Sequence, residues 1–240
     1  MKLDLLVHNS EDKVHGGITY GGYSDKIIVD EHFVLSIPKN LDLKAVAPLL
    51  CAGITTYSPL KKWDIKKGDV VGIVGLGGLG HMAVKIAHAM GAKVVMITTS
   101  ESKGMDAKKL GADEVLLSTN TEEMINRNNS FDFILNTIPV AHDLNPYLTL
   151  LKRDATMVIV GAVEPFKEDQ LNGFNLIFQR KNLAGSLIGG LKETQEMLDF
   201  CGENNILPEI EIINPSQIND AYKRMIGNDV KYRFVIDMKL

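Results

Sequence analysis

The chain has 240 residues, 45% of them hydrophobic and 23% charged, with a net charge of −4 at pH 7. That length allows one or two domains with a sizeable core, and the composition excludes a disordered chain. A chain without basic excess is not expected to bind nucleic acid, and no stretch reaches the roughly 18 apolar residues of a membrane span.

The opening run before Val7 is short and interrupted by Asp4, so no signal peptide is expected. Gly16-Gly17 and Gly21-Gly22 punctuate the next stretch, and residues 27–29 and 33–35 read as two short strands about a turn at Asp30-Glu31. Pro38 closes this section. Residues 43–60 read as helical and apolar, with Pro48 and Gly53 as candidate breaks. From Lys66 the rhythm changes. Strands are predicted at 69–74, 93–97, 114–117, 131–135, 156–160 and 183–188. Helices are predicted between them at 79–90, 103–110, near 122–127 and at 144–151, the first two stopped by Gly91 and Gly111. This alternation means βαβ units and a doubly wound parallel sheet of the α/β class. A further helix is predicted at 193–201. The tail then reads strand, helix, strand at 209–213, 220–225 and 234–238, outside the βαβ rhythm. It is expected to join residues 1–42 in a second, mostly β subdomain, leaving 43–190 as the βαβ unit. Two cysteines, Cys51 and Cys201, make no disulfide framework, and a reducing cytoplasm is expected.

Gly75-Leu76-Gly77-Gly78-Leu79-Gly80 is a G-x-G-x-x-G string that follows a predicted strand and opens a predicted helix. In that context Gly75 would permit the tight turn, Gly77 the approach of a pyrophosphate, and Gly80 close packing of helix on strand. The helix N-terminus would add free N–H groups and the positive end of its dipole. The bland alternative is a glycine-rich turn with no ligand. A nucleotide carrying a free 2′-hydroxyl is ordinarily met by an Asp or Glu at the end of the second strand. Here that position reads Thr98-Thr99-Ser100, with Lys103 three residues on. Hydroxyls and a lysine suit a 2′-phosphate that a carboxylate would repel, so NADP(H) is expected over NAD(H). The same three residues would also serve as a helix cap.

The segment Ala47-Pro48-Leu49-Leu50-Cys51-Ala52-Gly53-Ile54-Thr55-Thr56-Tyr57-Ser58-Pro59-Leu60, taken with residues 75–85, resembles the zinc-dependent medium-chain alcohol dehydrogenases of the cinnamyl alcohol dehydrogenase branch. Gly21-Gly22-Tyr23-Ser24, Leu110-Gly111-Ala112-Asp113, Gly185-Ser186-Leu187-Ile188-Gly189-Gly190 and Tyr232-Arg233-Phe234-Val235-Ile236-Asp237 extend the likeness from about His8 to the C-terminus. The resemblance implies a Rossmann sheet with remnants of a GroES-like catalytic subdomain. It also implies hydride transfer between NADP(H) and an alcohol or aldehyde. It places Cys51 on a catalytic-zinc cysteine and Thr55 on a cofactor contact. Thr98, Thr99 and Lys103 fall on the 2′-phosphate pocket. Val160-Gly161-Ala162 and Ser186-Leu187-Ile188 fall on stretches lining the nicotinamide. The strand before Gly189-Gly190 would be a dimerisation edge, giving a homodimer.

A catalytic zinc needs three protein ligands and one open position. The resembled family takes a cysteine and a histidine–glutamate pair from an N-terminal lobe that this sequence does not contain. Its structural-zinc cysteines and its hydroxyl–histidine relay come from the same lobe. A truncated member is therefore expected, with zinc not tightly held by Cys51 and no catalytic residue assignable. The strands nearest that lobe would be left as exposed edges. Two rival readings stay open: a zinc-free NADPH-dependent reductase, and a non-catalytic dinucleotide-binding or dimerising remnant. Cys201 is read as a buried small hydrophobe and His81 as a helix N-terminal residue.

Overall fold

The computed structural model describes residues 23–24, 26–161, 165, 167–227 and 229–239. Its central element is a parallel sheet of β1 (Val70–Val74), β2 (Lys93–Thr98), β3 (Glu114–Leu117), β4 (Phe131–Asn136), β5 (Leu151–Ile159) and β6 (Asn182–Gly185). The spatial order is β3-β2-β1-β4-β5-β6. Val71 of β1 pairs with Val94 of β2 on one side and with Phe133 of β4 on the other. The central strands β1, β2 and β4 are mainly apolar on both faces, as a sheet covered on both sides requires. Val71, Ile73, Val94, Met96, Phe133 and Leu135 enter one buried cluster, while Val74, Val95, Ile97 and Ile134 enter the other. That is the period of two expected of strand side chains.

The first cluster is closed by α1 (Leu43–Val46), α2 (Ala52–Lys62), α3 (Gly80–Ala89), α4 (Glu101–Lys109) and, beyond β6, a helix at Leu191–Glu203. The second is closed by α5 (Thr121–Asn126) and α6 (Asn145–Leu150), through Met124 and Leu148. A short α7 (Phe174–Ile177) precedes β6, which makes the Leu191–Glu203 helix α8. Its Met197, Leu198 and Cys201 lie in the first cluster, so its apolar face shares the core of β1 and β2. The remaining elements are β7 (Ile210–Ile213), α9 (Ile218–Ile226) and β8 (Arg233–Ile236), with β7 and β8 paired parallel. Lys85 of α3 fastens this piece to the sheet, its Nζ donating to the Leu207 carbonyl at 2.7 Å and to Glu209 at 2.6 Å.

The structure corrects several of the predicted elements. Residues 27–29 and 33–35 form no strands, and among the described residues no strand precedes β1. The Asp30 side chain instead accepts from the His32 amide at 2.9 Å and caps a 3-10 turn at Glu31–Phe33. Gly53 does not break a helix. It lies inside α2 where a Cβ would meet the Met197 sulfur at 2.9 Å, so the glycine serves close approach of α2 and α8. The break falls at Cys51, after the 3-10 turn that carries Pro48. The helix predicted from 103 begins at Glu101, because Ser100 caps it by accepting from the Lys103 amide at 3.5 Å. Finally, β6 ends at Gly185, so Ser186, Leu187 and Ile188 are not strand residues. The paired Gly16-Gly17 and Gly21-Gly22 lie outside the described residues.

Candidate functional site

The order of the sheet reverses between β1 and β4, and the crevice outside the carboxyl ends of such a pair is where open α/β sheets bind ligands. A cleft of about 680 Å³ lies there. Its floor is the turn from β1 into α3. Gly75 adopts φ +88°, a conformation that only glycine takes without strain. Its amide donates to the Ile97 carbonyl at 3.1 Å, tying the turn to β2. A Cβ on Gly80 would collide with the Gly75 carbonyl oxygen, so the helix can start this close to the strand only with glycine there. At Gly77 nothing lies within 4 Å of where a side chain would project, which leaves the backbone open to the cleft. Thr137, just past β4, donates to the Val74 and Gly75 carbonyls at 2.8 and 3.0 Å and locks the turn from the other side.

The cleft is roofed by Tyr232, Arg233 and Phe234 of the C-terminal piece, and the residue before them ties that piece to α4. Lys231 reaches α4, its Nζ 2.6 Å from the Asp106 carboxylate. Tyr232 stacks on His81, with centroids 4.8 Å apart and planes 19° apart. Arg233 lays its guanidinium over Gly78, in the space a Cβ would occupy. His81 is fully buried in the first turn of α3, and burial pushes its pKa down to about 4, with the charges of Lys85 and Arg233 adding to the effect. The ring is therefore neutral at physiological pH. A carbonyl only accepts, so the 3.2 Å contact from Nδ1 to the Gly77 oxygen assigns the proton to Nδ1. Nε2 is left as a buried acceptor, and both it and the Arg233 Nε have no hydrogen-bond partner among the described residues. Burial raises the Tyr232 hydroxyl to about 12, so it too stays neutral.

The other wall carries Thr98, Thr99 and Lys103 from the end of β2 and the start of α4. Among the described residues lining the cleft, Lys103 and Arg233 are cationic and none is a carboxylate. Its electrostatics thus favour an anion. An unpartnered arginine donor above an open glycine backbone is the arrangement that phosphate oxygens satisfy.

The structure brings together Gly75, Gly77, Gly78, Leu79, Thr98, Thr99, Lys103 and Gly161 as cleft lining, with Gly80 just beneath. Ser186 and Leu187 line a separate open groove of about 620 Å³ along β6, which Gly161 also borders. Ser100 is occupied as the cap of α4. Val160 and Ile188 pack against the first core cluster. Thr55 is buried on α2 and is not among the lining residues of the cleft. Ala162 lies outside the described residues. Cys51 is exposed and free, and among the described residues no group of three His, Cys, Asp or Glu could hold a metal ion. One thiolate does not fit zinc, which takes at least three protein ligands. Cys201 is buried against Met197, 3.7 Å between sulfurs, and burial raises its thiol to about 12.

Sequence reasoning did not assign His81, Tyr232 or Arg233 to the cleft. All three sit in plain view of the pattern, but the last two arrive from a strand more than 150 residues beyond the glycine turn, and only the fold joins them to it. The available signal was an arginine next to an aromatic residue on a strand outside the βαβ rhythm.

Comparison with known proteins bears on the same residues. Residues 78–203 match the family described as zinc-binding dehydrogenase. The aldehyde reductase YahK of Escherichia coli K12 is 57% identical over 232 residues, covering 96% of this chain and 66% of that protein. Among solved structures, the cinnamyl alcohol dehydrogenase SbCAD4 of Sorghum bicolor superposes with a TM-score of 0.89 at 42% identity, covering 95% of this chain and 65% of that one. The corresponding enzyme of Helicobacter pylori, solved with NADP(H), gives a TM-score of 0.82 at 45% identity, covering 94% and 64%. The chain thus spans just under two thirds of the length of these relatives, and over that span it belongs to the zinc-binding dehydrogenase family.

Proposed function

We propose that the cleft binds NADP(H) and that the chain serves the reversible transfer of hydride between that cofactor and a small alcohol or aldehyde. The observation that carries this reading is the cleft's charge: an open glycine turn flanked by Lys103 and Arg233, with Thr98 and Thr99 where a carboxylate would select against a 2′-phosphate. In this reading Gly77 and the start of α3 meet the pyrophosphate, and Arg233 satisfies its idle Nε on the same oxygens. Thr98, Thr99 and Lys103 hold the 2′-phosphate. Gly161 and the Ser186–Ile188 stretch border the nicotinamide end, and the tight approach of Gly161 to the Ile138 carbonyl keeps that wall thin. The bound cofactor donates or accepts the hydride, and the protein fixes where it points.

The names of the relatives support an alcohol or aldehyde as substrate, and the NADP(H) complex of the Helicobacter pylori enzyme supports the cofactor. We read residues 43–190 as the cofactor-binding unit, extended by α8, with the flanks as pieces of a second subdomain. β6 ends the sheet, and its free edge is our candidate for pairing with a second copy in a homodimer. A cytoplasmic location is in keeping with two unpaired cysteines, and no helix among the described residues is long and apolar enough to cross a membrane. A second reading is favoured by the lone, exposed Cys51: this chain binds dinucleotide without turnover of its own.

Titration of the purified chain with NADPH and, in parallel, NADH tests the proposal by fluorescence enhancement. Tight NADPH and weak NADH binding is expected. Binding of neither, or a preference for NADH, overturns it. Aldehyde reduction by the same preparation separates the catalytic reading from the second one.

A further inference from the structure

His81 does not itself line the cleft, yet it touches two residues that do, Gly77 and Tyr232. Its Nδ1 donates to the Gly77 carbonyl at 3.2 Å, and its backbone amide donates to the same oxygen at 3.0 Å. That carbonyl is thereby turned along α3, away from the cleft. A trans peptide is planar, so the N–H of the next residue points the opposite way. The Gly78 amide is therefore aimed out of the helix start, on the side where Gly77 and Gly78 line the cleft. The face of the same imidazole stacks on Tyr232, and the next residue, Arg233, lays its guanidinium over Gly78. The Arg233 Nε has no hydrogen-bond partner among the described residues, so a donor arrives there still free for a ligand. An amide aimed from the floor and a cation set from the roof thus converge on one point of the cleft, and one buried ring touches the supports of both.

We propose that His81 is a positioning residue for the pyrophosphate of the bound dinucleotide. Its Nδ1–H holds the Gly77–Gly78 peptide in the orientation that presents the Gly78 amide. Its ring face holds Tyr232, so that Arg233 stays above that amide. An apolar residue of equal size would fill the same space but leave the Gly77 carbonyl with one donor instead of two, and the peptide freer to rotate. This rests on the dinucleotide reading of the cleft and deepens it. It makes the glycine turn depend on a side chain outside it, and it couples that turn to the C-terminal piece. The wall of Thr98, Thr99 and Lys103 lies apart from these contacts, so the 2′-phosphate end is indifferent to His81.

The test is titration of the full chain with NADPH, NADH and adenosine 2′-monophosphate, which carries the 2′-phosphate but no pyrophosphate. Three single variants are compared with the unchanged protein. His81→Phe keeps a ring for Tyr232 and removes the donor to Gly77. His81→Gln keeps a donor and removes the ring. Tyr232→Leu removes the stack and leaves α3 as it is. Each is expected to weaken NADPH and NADH alike, by about fivefold, the equivalent of one misaligned hydrogen bond, and to move adenosine 2′-monophosphate by less than about twofold. Combined with Arg233→Gln, Tyr232→Leu should cost nothing further, whereas His81→Phe should still cost its share through Gly78. Unaltered dinucleotide affinity in both His81 variants overturns the proposal. So does a loss of adenosine 2′-monophosphate in step with the dinucleotides, which would make His81 a core residue whose removal disturbs the whole cleft. An unchanged protein that binds neither dinucleotide overturns the cleft reading itself, a result distinct from either of these.

Discussion

β2 and the stretch 27–35 are built from similar residues and end in opposite states. Val94, Val95, Met96 and Ile97 are each exposed by 1% or less, between β1 and β3 and beneath two helical layers. Ile28 is 99% exposed, and Ile27 and Val29 are about half exposed. Valine and isoleucine favour a strand only where a pleated, half-built surface receives them. β2 has a partner on both sides. Residues 27–35 have none among the described residues, and the local Asp30 cap takes over the backbone. The flank is anchored to the core from Leu35, which packs against the first cluster. There the Ser36 amide donates to Gln195 at 2.8 Å, Gln195 returns a bond to the Ser36 carbonyl at 2.9 Å, and Asn40 donates to the Gly202 carbonyl at 2.8 Å. Strand propensity is thus a property of the neighbourhood, and the relatives' extra third of length is where such neighbours would be sought.

The largest expected effect sharpens the buried half of that comparison. Phe133 is among the largest fully buried side chains and sits at the centre of the sheet, 6.0 Å from the Trp63 ring. Phe133→Ala should cost about 3–5 kcal/mol in a urea titration, because both transfer energy and an uncollapsed cavity are lost. A loss under about 1 kcal/mol would mean that the core is not packed as described.

The next effect concerns the roof of the cleft. Burial lowers the His81 pKa to about 4, below the 6.5 of a free histidine. Between those two values the unfolded chain takes up a proton that the folded chain refuses. Stability from this residue is therefore complete above pH 6.5 and lost as pH falls toward 4. The shift is equivalent to about 3 kcal/mol at its full extent. His81→Gln should flatten that part of the stability profile relative to the unchanged protein, with the carboxylate contributions common to both. Parallel profiles would place the imidazole in water.

Much of the fold was legible because it is local. Six strands recur with helices between them, most of these bounded by a glycine or a cap, and such units read locally along the chain. The glycine turn was legible for the same reason, since Gly75, Gly77 and Gly80 act within one turn of chain. The roof was not. Nothing in Lys231-Tyr232-Arg233 announces that these residues meet Asp106, His81 and Gly78, because those contacts depend on how β8 returns across the sheet. The false strands at 27–35 failed for the converse reason. Their pattern was right for a sheet, but pairing is supplied by other segments.

The smallest expected effect tests the exposed half of the comparison. Ile28 has its whole side chain in water, and no ladder bond holds its backbone. Ile28→Ser removes an apolar group that gained nothing from burial, so it should change the urea midpoint by no more than about 0.5 kcal/mol in equivalent stability. The same substitution at Ile134, fully buried on β4, should cost several times as much. A large loss at Ile28 would mean that this segment is covered in solution, by a second copy or by residues outside those described. The contrast between flank and sheet would then belong to the isolated chain alone.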